Sequence, residues 1–331
     1  MVKYILGIES TAHTFGVAVL DWNGSILSNV KDSYTTKEGG MIPMEVREHH
    51  KKVAPKIYKK ALSEAGIDET KIKVIAFSNA PGLAPCLLEG MAFAKKIAEK
   101  LNVPIVMVNH CVAHLEIGKT VGAKDPVMLY ASGANTQIIA YEAGKYRVFG
   151  ETLDLGVGNF IDGFARYAGL GFPGGPKIQK LAEECEDKSK LIELPYSIKG
   201  MDVSFSGLQT KLKNLLNKGS DIRDLSYSMQ EVVFAMLVEA AERALAHTGK
   251  KELLLGGGVA CNPRLQEMCK IMCEERGVKF FCPEKSLLVD NAGMIGYLGL
   301  KMYKAGIFET DLDKVDIAPR ERTDEVEVLW R

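Results

Sequence analysis

The sequence has no net charge, no Cys-x-x-Cys pair and no apolar run long enough to cross a bilayer, and each absence removes a class of protein. Lysine plus arginine and aspartate plus glutamate number 42 each, so any nucleic-acid contact must come from local patches rather than overall charge. The seven cysteines (86, 111, 185, 261, 269, 273 and 282) are odd in number and scattered, with no Cys-x-x-Cys pair. That argues against both a disulfide framework and a thiolate zinc site. The longest apolar runs, such as ELLLGGGVA, fall far short of the roughly 20 residues a spanning helix needs. The opening MVKYILGIES carries no cleavable signal pattern. A cytoplasmic protein without a membrane role is the expectation. At 331 residues, 47% hydrophobic and 25% charged, the chain is long enough for two lobes with sizeable cores.

Apolar alternation predicts three strands at the start, KYILGIES, TFGVAVLD and SILSNVKDSY, the last two joined by an Asn23-Gly24 turn. After a loop with Gly39-Gly40 come a helix from about Met44 to Ala65, strand KVIAFS, helix LLEGMAFAKKIAEKL and strand VPIVMV. The order βββαβαβ then begins again: strand PVMLYAS, a turn at 133–136, strand QIIAYE, a turn at Gly144, strand YRVFGETL and a helix from about Asn159. The chain reads as a duplication.

In both halves the first hairpin runs into glycine and small polar residues, ILGIESTAHT and LYASGANTQI, and a third glycine turn follows ELLLG at 256–258. Such turns present backbone N–H groups to phosphate oxygens and let a flat ligand approach closely, although each alone is also an ordinary tight turn. Their order points to a nucleotide held between two lobes of the actin, sugar-kinase and Hsp70 type (the ASKHA fold). The boundaries predicted are 1–122 for the first lobe and 123–306 for the second. The second lobe carries an active-site insertion at about 185–220, and a tail at about 307–331 is placed to pack back on the first lobe. Asp162, on the first turns of a helix, is a candidate for ribose hydroxyls, with helix N-terminal charge complementarity as the plainer alternative. The segment KGMDVSFSGLQTKLKNLLNK reads as an active-site loop leading into a partly basic helix.

In NHCVAHLE, His110 and His114 stand four apart and share one helix face. Two histidines do not complete a metal site; zinc or iron needs further N, O or S ligands from elsewhere. Spacing alone therefore leaves open a metal pair or two histidines on a common face. Cys111 projects about a hundred degrees away around the helix and reads as core.

Over essentially its whole length the sequence resembles the universal tRNA threonylcarbamoyladenosine synthase family. The resemblance rests on PIVMVNHCVAHL, SGANTQ, GNFIDGFAR, GFPGGP, KGMDVSFSGL, GGGVACNPRL and VDNAGMI in that order, and the sequence is most similar to the archaeal and eukaryotic branch, the catalytic subunit of the KEOPS complex. It implies a duplicated α/β ASKHA fold and one metal ion per subunit, iron foremost, with zinc or manganese as alternatives. His110, His114 and Asp290 would ligate it, with Tyr130 a further oxygen ligand or beside the ion. It implies an adenine nucleotide, threonylcarbamoyl-AMP or an ATP- or AMP-type ligand, against Tyr130, Ala131, Ser132, Gly133, Ala134, Asn135, Asp162, Gly175, Gln179 and Asn262. It also implies a transfer from that adenylate to the exocyclic amine of the adenosine 3′ of the anticodon, releasing AMP. Glu9 is the candidate for orienting the amine or accepting its proton, with loop capping as the alternative. The implied partners are tRNA, a separate threonylcarbamoyl-AMP synthase and the KEOPS subunits: a small kinase-like ATPase, a small dimerising subunit and an accessory subunit.

The sequence departs from the family pattern at Ala134, where glycine is usual. If that residue takes positive φ, its methyl group costs of order 1 kcal/mol. Gln179 stands where an acid is usual, Cys261 replaces a small alanine, and Ile42 stands where close relatives have histidine. Lys52, Lys56 and Lys60 form one stripe if a helix runs through Pro55, either a solvated face or an RNA approach surface. A small-molecule kinase of the same fold is the runner-up. A metalloprotease ranks last, because Cys111 stands where the zincin pattern needs glutamate.

Overall fold

The computed structural model describes residues 3–36 and 40–331; of the expected Gly39-Gly40 loop, Gly39 lies outside the described residues. The first lobe runs β1 (Tyr4–Glu9), β2 (Thr14–Asp21), β3 (Ile26–Ser33), α1 (Pro43–Ala65), β4 (Ile72–Ala80), α2 (Ala84–Leu101), β5 (Ile105–Asn109) and α3 (His110–Ile117). The second runs β6 (Val127–Ala131), β7 (Thr136–Glu142), β8 (Lys145–Glu151), α4 (Val157–Tyr167) and α5 (Gly175–Glu183). It continues with β9 (Ile198–Lys199), β10 (Asp202–Val203), α6 (Ser206–Asn217), α7 (Ile222–Thr248), β11 (Glu252–Gly256), α8 (Pro263–Glu275), β12 (Lys279–Phe281), α9 (Lys285–Leu288) and α10 (Ala292–Lys304).

The duplication is visible in the sheets. The first has strand order β3-β2-β1-β4-β5 and the second β8-β7-β6-β11-β12. In each, the first three strands pair antiparallel, and two later strands add parallel to the lead strand. The lead strands are buried on both faces, which is why ILGIE and VMLYA read as continuous apolar runs. α1 is continuous through Pro55, which is exposed, so Lys52, Lys56 and Lys60 do form one solvent-facing stripe.

α10 falls within the span predicted for the second lobe but packs on the first sheet. Gly7 of β1 and Gly296 of α10 meet backbone to backbone: a Cβ on Gly7 would stand 2.2 Å from the Ala292 carbonyl oxygen. Only paired glycines allow so close a crossing. The tail also crosses the first lobe. Glu309 bridges to Ile105, the Gly82 N–H donates to the Pro319 carbonyl, and the Ala318 N–H donates to the Asn79 carbonyl. It then reaches the second lobe, where Arg322 pairs with Glu151.

His50, fully buried on α1 beside Phe15, donates through Nε2 to the Ala12 carbonyl at 2.9 Å and so braces the β1–β2 loop. Burial lowers its pKa to about 4; the Ala12 bond and Glu9 oppose this, while His49 and His13 add to it. The unfolded chain therefore takes up this proton first. The stability it confers is complete above pH 6.5 and is lost as pH falls toward 4. Thermal unfolding across that window is expected to show a loss of about 3 kcal/mol that the His50→Gln variant lacks. Equal slopes for the two proteins would refute it.

Candidate active site

α3 is short and wholly buried, and Asn109 caps it by accepting from the Cys111 and Val112 N–H groups. That cap fixes the helix directly after β5, so its first residue, His110, and His114 one turn later face the same way. Asp290 arrives from the other end of the chain. It precedes Asn291, whose side chain caps α10 by accepting from the Met294 N–H; the acid therefore stands just outside α10. Asp290 Oδ1 lies 3.3 Å from His110 Nε2 and 3.7 Å from His114 Nε2. One ligand atom from each of the three residues lies within 4.8 Å of the others.

Three observations show that these residues suit a metal ion. Ligands bound at about 2.0–2.2 Å in a tetrahedral or octahedral shell stand roughly 3–4 Å from one another, the spacing of Asp290 from each histidine. Both ring nitrogens of His114 are buried without a hydrogen-bond partner among the described residues, an arrangement that is costly unless something else binds them. His110 Nδ1 is 2.9 Å from Glu9 Oε2, the carboxylate brace that metal-bound histidines characteristically carry, which leaves Nε2 free to face Asp290. Burial opposes charge on His110, but Glu9 and Asp290 outweigh it and raise its pKa well above the ordinary value. At His114 burial dominates and the pKa falls. Burial also opposes charge on Asp290, yet the two histidines hold it ionised far below the usual carboxylate range. The centre thus keeps buried negative charge and draws in positive charge.

Glu9, the candidate for orienting the amine or accepting its proton, faces His110 and the β1–β2 loop. It is fully buried and absent from the cavity wall. Oε1 accepts from the Thr11 N–H at 2.7 Å and from its hydroxyl at 2.5 Å, and Oε2 faces His110. This geometry is that of the loop-capping alternative, extended to the histidine.

A cavity of about 720 Å³ lies between the lobes. His110, Tyr130, Asp290, Ser132, Gly133, Ala134, Asn135, Asp162, Gly175, Gln179 and Asn262 all line it. Ala131 does not: it is fully buried in β6, paired with Thr136. Tyr130 is almost wholly buried, its ring 5.0 Å from that of His114, and burial, then the nearby Cys111 and Asp290, push its pKa far up. Cys111 is buried, its thiol likewise pushed up by burial, and all seven cysteines are free.

The loop 132–135 closes on itself, with the Ser132 N–H donating to the Asn135 carbonyl at 2.9 Å, and docks on α4 through Gly158 N–H to Ser132 O and Asn159 N–H to Gly133 O. Ala134 is not among the residues with positive φ. The strain anticipated for its methyl group is therefore absent, and glycine there would relieve nothing. The third glycine turn does need glycine: Gly257 has φ of 91° and lies against the Ala131 carbonyl.

Asp162 sits in the middle of α4 rather than at its N-terminus, so dipole complementarity is not its role. Its Oδ1 accepts from the Gly174 N–H at 2.7 Å, shaping the GGP turn, and burial raises its pKa. Gln179 donates to Glu183, and Asn262 caps α8 while donating to Gln230 at 2.9 Å. Lys31 and Gln230 are among the cavity residues that escaped the sequence reading. Lys31 sends its Nζ from β3 to the Asp290 carbonyl at 3.0 Å, with no signal in a strand of mixed polarity. Gln230 was detectable as a polar residue on the apolar face of α7, where it is buried.

No helix among the described residues is long and apolar enough to cross a membrane. The family profile described as tRNA N6-adenosine threonylcarbamoyltransferase matches residues 25–297. The tRNA N6-adenosine threonylcarbamoyltransferase of Thermococcus kodakarensis is 53% identical over 98% of this chain and 99% of its own length. A probable bifunctional tRNA threonylcarbamoyladenosine biosynthesis protein of Methanosarcina mazei is 52% identical over 99% of this chain, which spans 59% of that protein. In fold, the chain is similar to full-length HypF in a phosphate- and nucleotide-bound form. The TM-score is 0.60 at 12% identity, covering 93% of this chain and 56% of that one. It is also similar to the activator of 2-hydroxyisocaproyl-CoA dehydratase from Clostridium difficile, with TM-score 0.54 at 10% identity over 95% and 99% of the two chains. With a His-His-Asp centre opening into an interlobe cavity, and with the Thermococcus kodakarensis enzyme matching end to end, the chain belongs to the tRNA N6-adenosine threonylcarbamoyltransferase family.

Proposed function

We propose that the cavity binds threonylcarbamoyl-AMP, supplied by a separate synthase, with its adenylate against the second lobe and its threonylcarbamoyl group against His110, Asp290 and Tyr130. The single observation that carries this is the junction of the unsatisfied His114 centre with a cavity of nucleotide size. Gly133 and the neighbouring loop N–H groups face the phosphate. Asp162 and Gln179 are placed for ribose hydroxyls, and Asn262, held by Gln230, borders the base.

The exocyclic amine of the target adenosine, 3′ of the anticodon in tRNAs reading codons that begin with A, attacks the carbamoyl carbonyl carbon. Its lone pair is delocalised into the purine, so positioning and oxyanion stabilisation must do most of the catalytic work. The new C–N bond forms, the carbonyl–phosphate bond breaks, AMP leaves, and the amine proton passes to solvent or to the departing phosphate. A divalent or trivalent metal, iron before zinc or manganese, would be held by His110, His114 and Asp290 with Tyr130 beside them, and would supply Lewis-acid polarisation of the donor. Glu9 is a positioning residue: it holds the Nδ1 proton of His110 and aims Nε2.

The setting is cytoplasmic, within a KEOPS-type assembly whose kinase-like ATPase, dimerising and accessory subunits supply part of the tRNA grip of a neutral chain. Digestion of tRNA to nucleosides and mass analysis after incubation with the adenylate and those partners should show threonylcarbamoyladenosine and stoichiometric AMP. Phosphorylation of a small acid or sugar instead, without modified nucleoside, would favour the kinase reading.

A further inference from the structure

On a chain with no net charge, two segments exclude acids altogether. Residues 163–182 contain Arg166, Lys177 and Lys180, residues 203–220 contain Lys211, Lys213 and Lys218, and neither segment contains an aspartate or glutamate. The fold packs them together. α4 and α5 touch, α4 and α6 touch, and side chains from both segments converge on the C-terminal end of α4. The Lys213 ammonium lies 5.1 Å from the centroid of the Tyr167 ring. Asn217 accepts from the Tyr167 hydroxyl at 2.7 Å, and Lys177 donates to the Leu170 carbonyl just past the helix. Arg166 reaches across to the first lobe, where a Cβ on Gly40 would stand 2.7 Å from its guanidinium. Tyr167 is nevertheless 45% exposed, an aromatic ring held among cations yet open to solvent.

This cluster adjoins the reaction cavity. Asp162, one of the cavity residues, precedes Tyr167 by five positions on the same helix, about 7–8 Å along its axis. Lys177 directly follows Pro176, another cavity residue, and Met41 beside Gly40 is a third. We propose that the C-terminal end of α4 and the α6 face packed on it form the docking platform for the single-stranded anticodon loop. A nucleobase flanking the target adenosine stacks on Tyr167, while Lys213, Lys177 and Arg166 hold the adjoining phosphates. This rests on the transfer to tRNA adenosine described above. Single-stranded RNA is gripped by aromatic faces set among cations, and its sequence-tolerant stacking suits an enzyme that must accept several anticodon loops. The stripe Lys52, Lys56 and Lys60 lacks an interleaved aromatic of this kind.

The test uses the full chain with its partner subunits, the adenylate donor and tRNA, together with fluorescence anisotropy of the chain alone on an anticodon stem-loop RNA. Lys213→Glu should raise the tRNA KM roughly tenfold while leaving kcat and adenylate affinity unchanged. It should also flatten the log–log salt dependence of RNA binding by about 0.7 for each phosphate that is no longer neutralised. Tyr167→Ala should raise the tRNA KM roughly tenfold and Tyr167→Phe should not, since the ring does the stacking. Unchanged tRNA KM, salt slope and stem-loop affinity in folded variants would overturn the platform. So would loss of binding to an acidic partner subunit with stem-loop affinity intact, which would make the face a protein dock. Because stem-loop binding is read without chemistry, failure of the transfer reaction itself would not be mistaken for failure of the platform.

Discussion

Replacing His110 and His114 together by alanine is expected to strip the protein of its metal and lower threonylcarbamoyladenosine formation by more than about a hundredfold, with the fold intact. The size follows from the geometry. His114 nitrogens are buried with no other partner among the described residues, and Asp290 lies against both rings, so no neighbour substitutes for either imidazole. The fold survives because its cores are the two sheets and their helices, and the inter-lobe packing lost is confined to the contact of the His114 ring with Tyr130. Glu9→Gln tests the brace separately, with a loss of roughly ten- to a hundredfold in metal affinity as His110 loses its carboxylate. Metal content by mass spectrometry, adenylate affinity by calorimetry and nucleoside analysis are read on each protein. Wild-type product from a folded, metal-free double variant would refute the role assigned to HCVAH. A protease would instead lose peptide cleavage, and a small-molecule kinase would lose little.

The second large effect is expected from Gly7→Ala, far from any substrate. The added methyl would meet the Ala292 carbonyl oxygen at 2.2 Å and the Gly296 nitrogen at 2.7 Å. Both are backbone atoms that no rotamer change can move aside. α10 must shift on β1, and overpacking of this kind costs about 3 kcal/mol or more when backbone opposes backbone. Asp290 stands two residues before α10 and moves with it, so metal affinity should fall along with stability. Gly207→Ala is the control. Nothing lies within 4 Å of its added Cβ, its φ is not positive, and the change should be neutral or stabilise by up to about 1 kcal/mol. Denaturant unfolding with metal titration distinguishes the outcomes; equal stability and metal affinity for Gly7→Ala and wild type would show that the crossing is not tightly packed.

The division between sequence and structure runs along identifiable residues. Period and turn chemistry are local, so the strands, the Asn23-Gly24 turn, the duplicated order and the helix carrying HCVAH were all legible. The loop glycines, Asp162 and Asn262 were legible as cavity candidates because glycine turns after apolar strands advertise themselves. The direction of the Glu9 carboxylate was not, because a buried acid facing a histidine 101 positions away leaves no local pattern. Lys31, Gln230 and the Tyr167–Lys213 contact were hidden for the same reason, and the backbone conformation of Ala134 could be posed from sequence only as a condition.

By itself the sequence determined the two-lobed architecture, the family motifs and the identity of the three candidate ligands, since each is written in short-range spacing or in an ordered set of motifs. Only the tertiary structure decided that α10 crosses to the first sheet through facing glycines, carrying Asp290 to within 3.7 Å of both histidines' Nε2 atoms. It also decided that His114 lacks any other partner among the described residues and that the acid-free segments converge on one aromatic ring. Those are contacts between residues far apart in the chain. They are set by which faces can pack at backbone distance and which buried polar atoms can be satisfied, and neither condition leaves a periodic trace in the sequence.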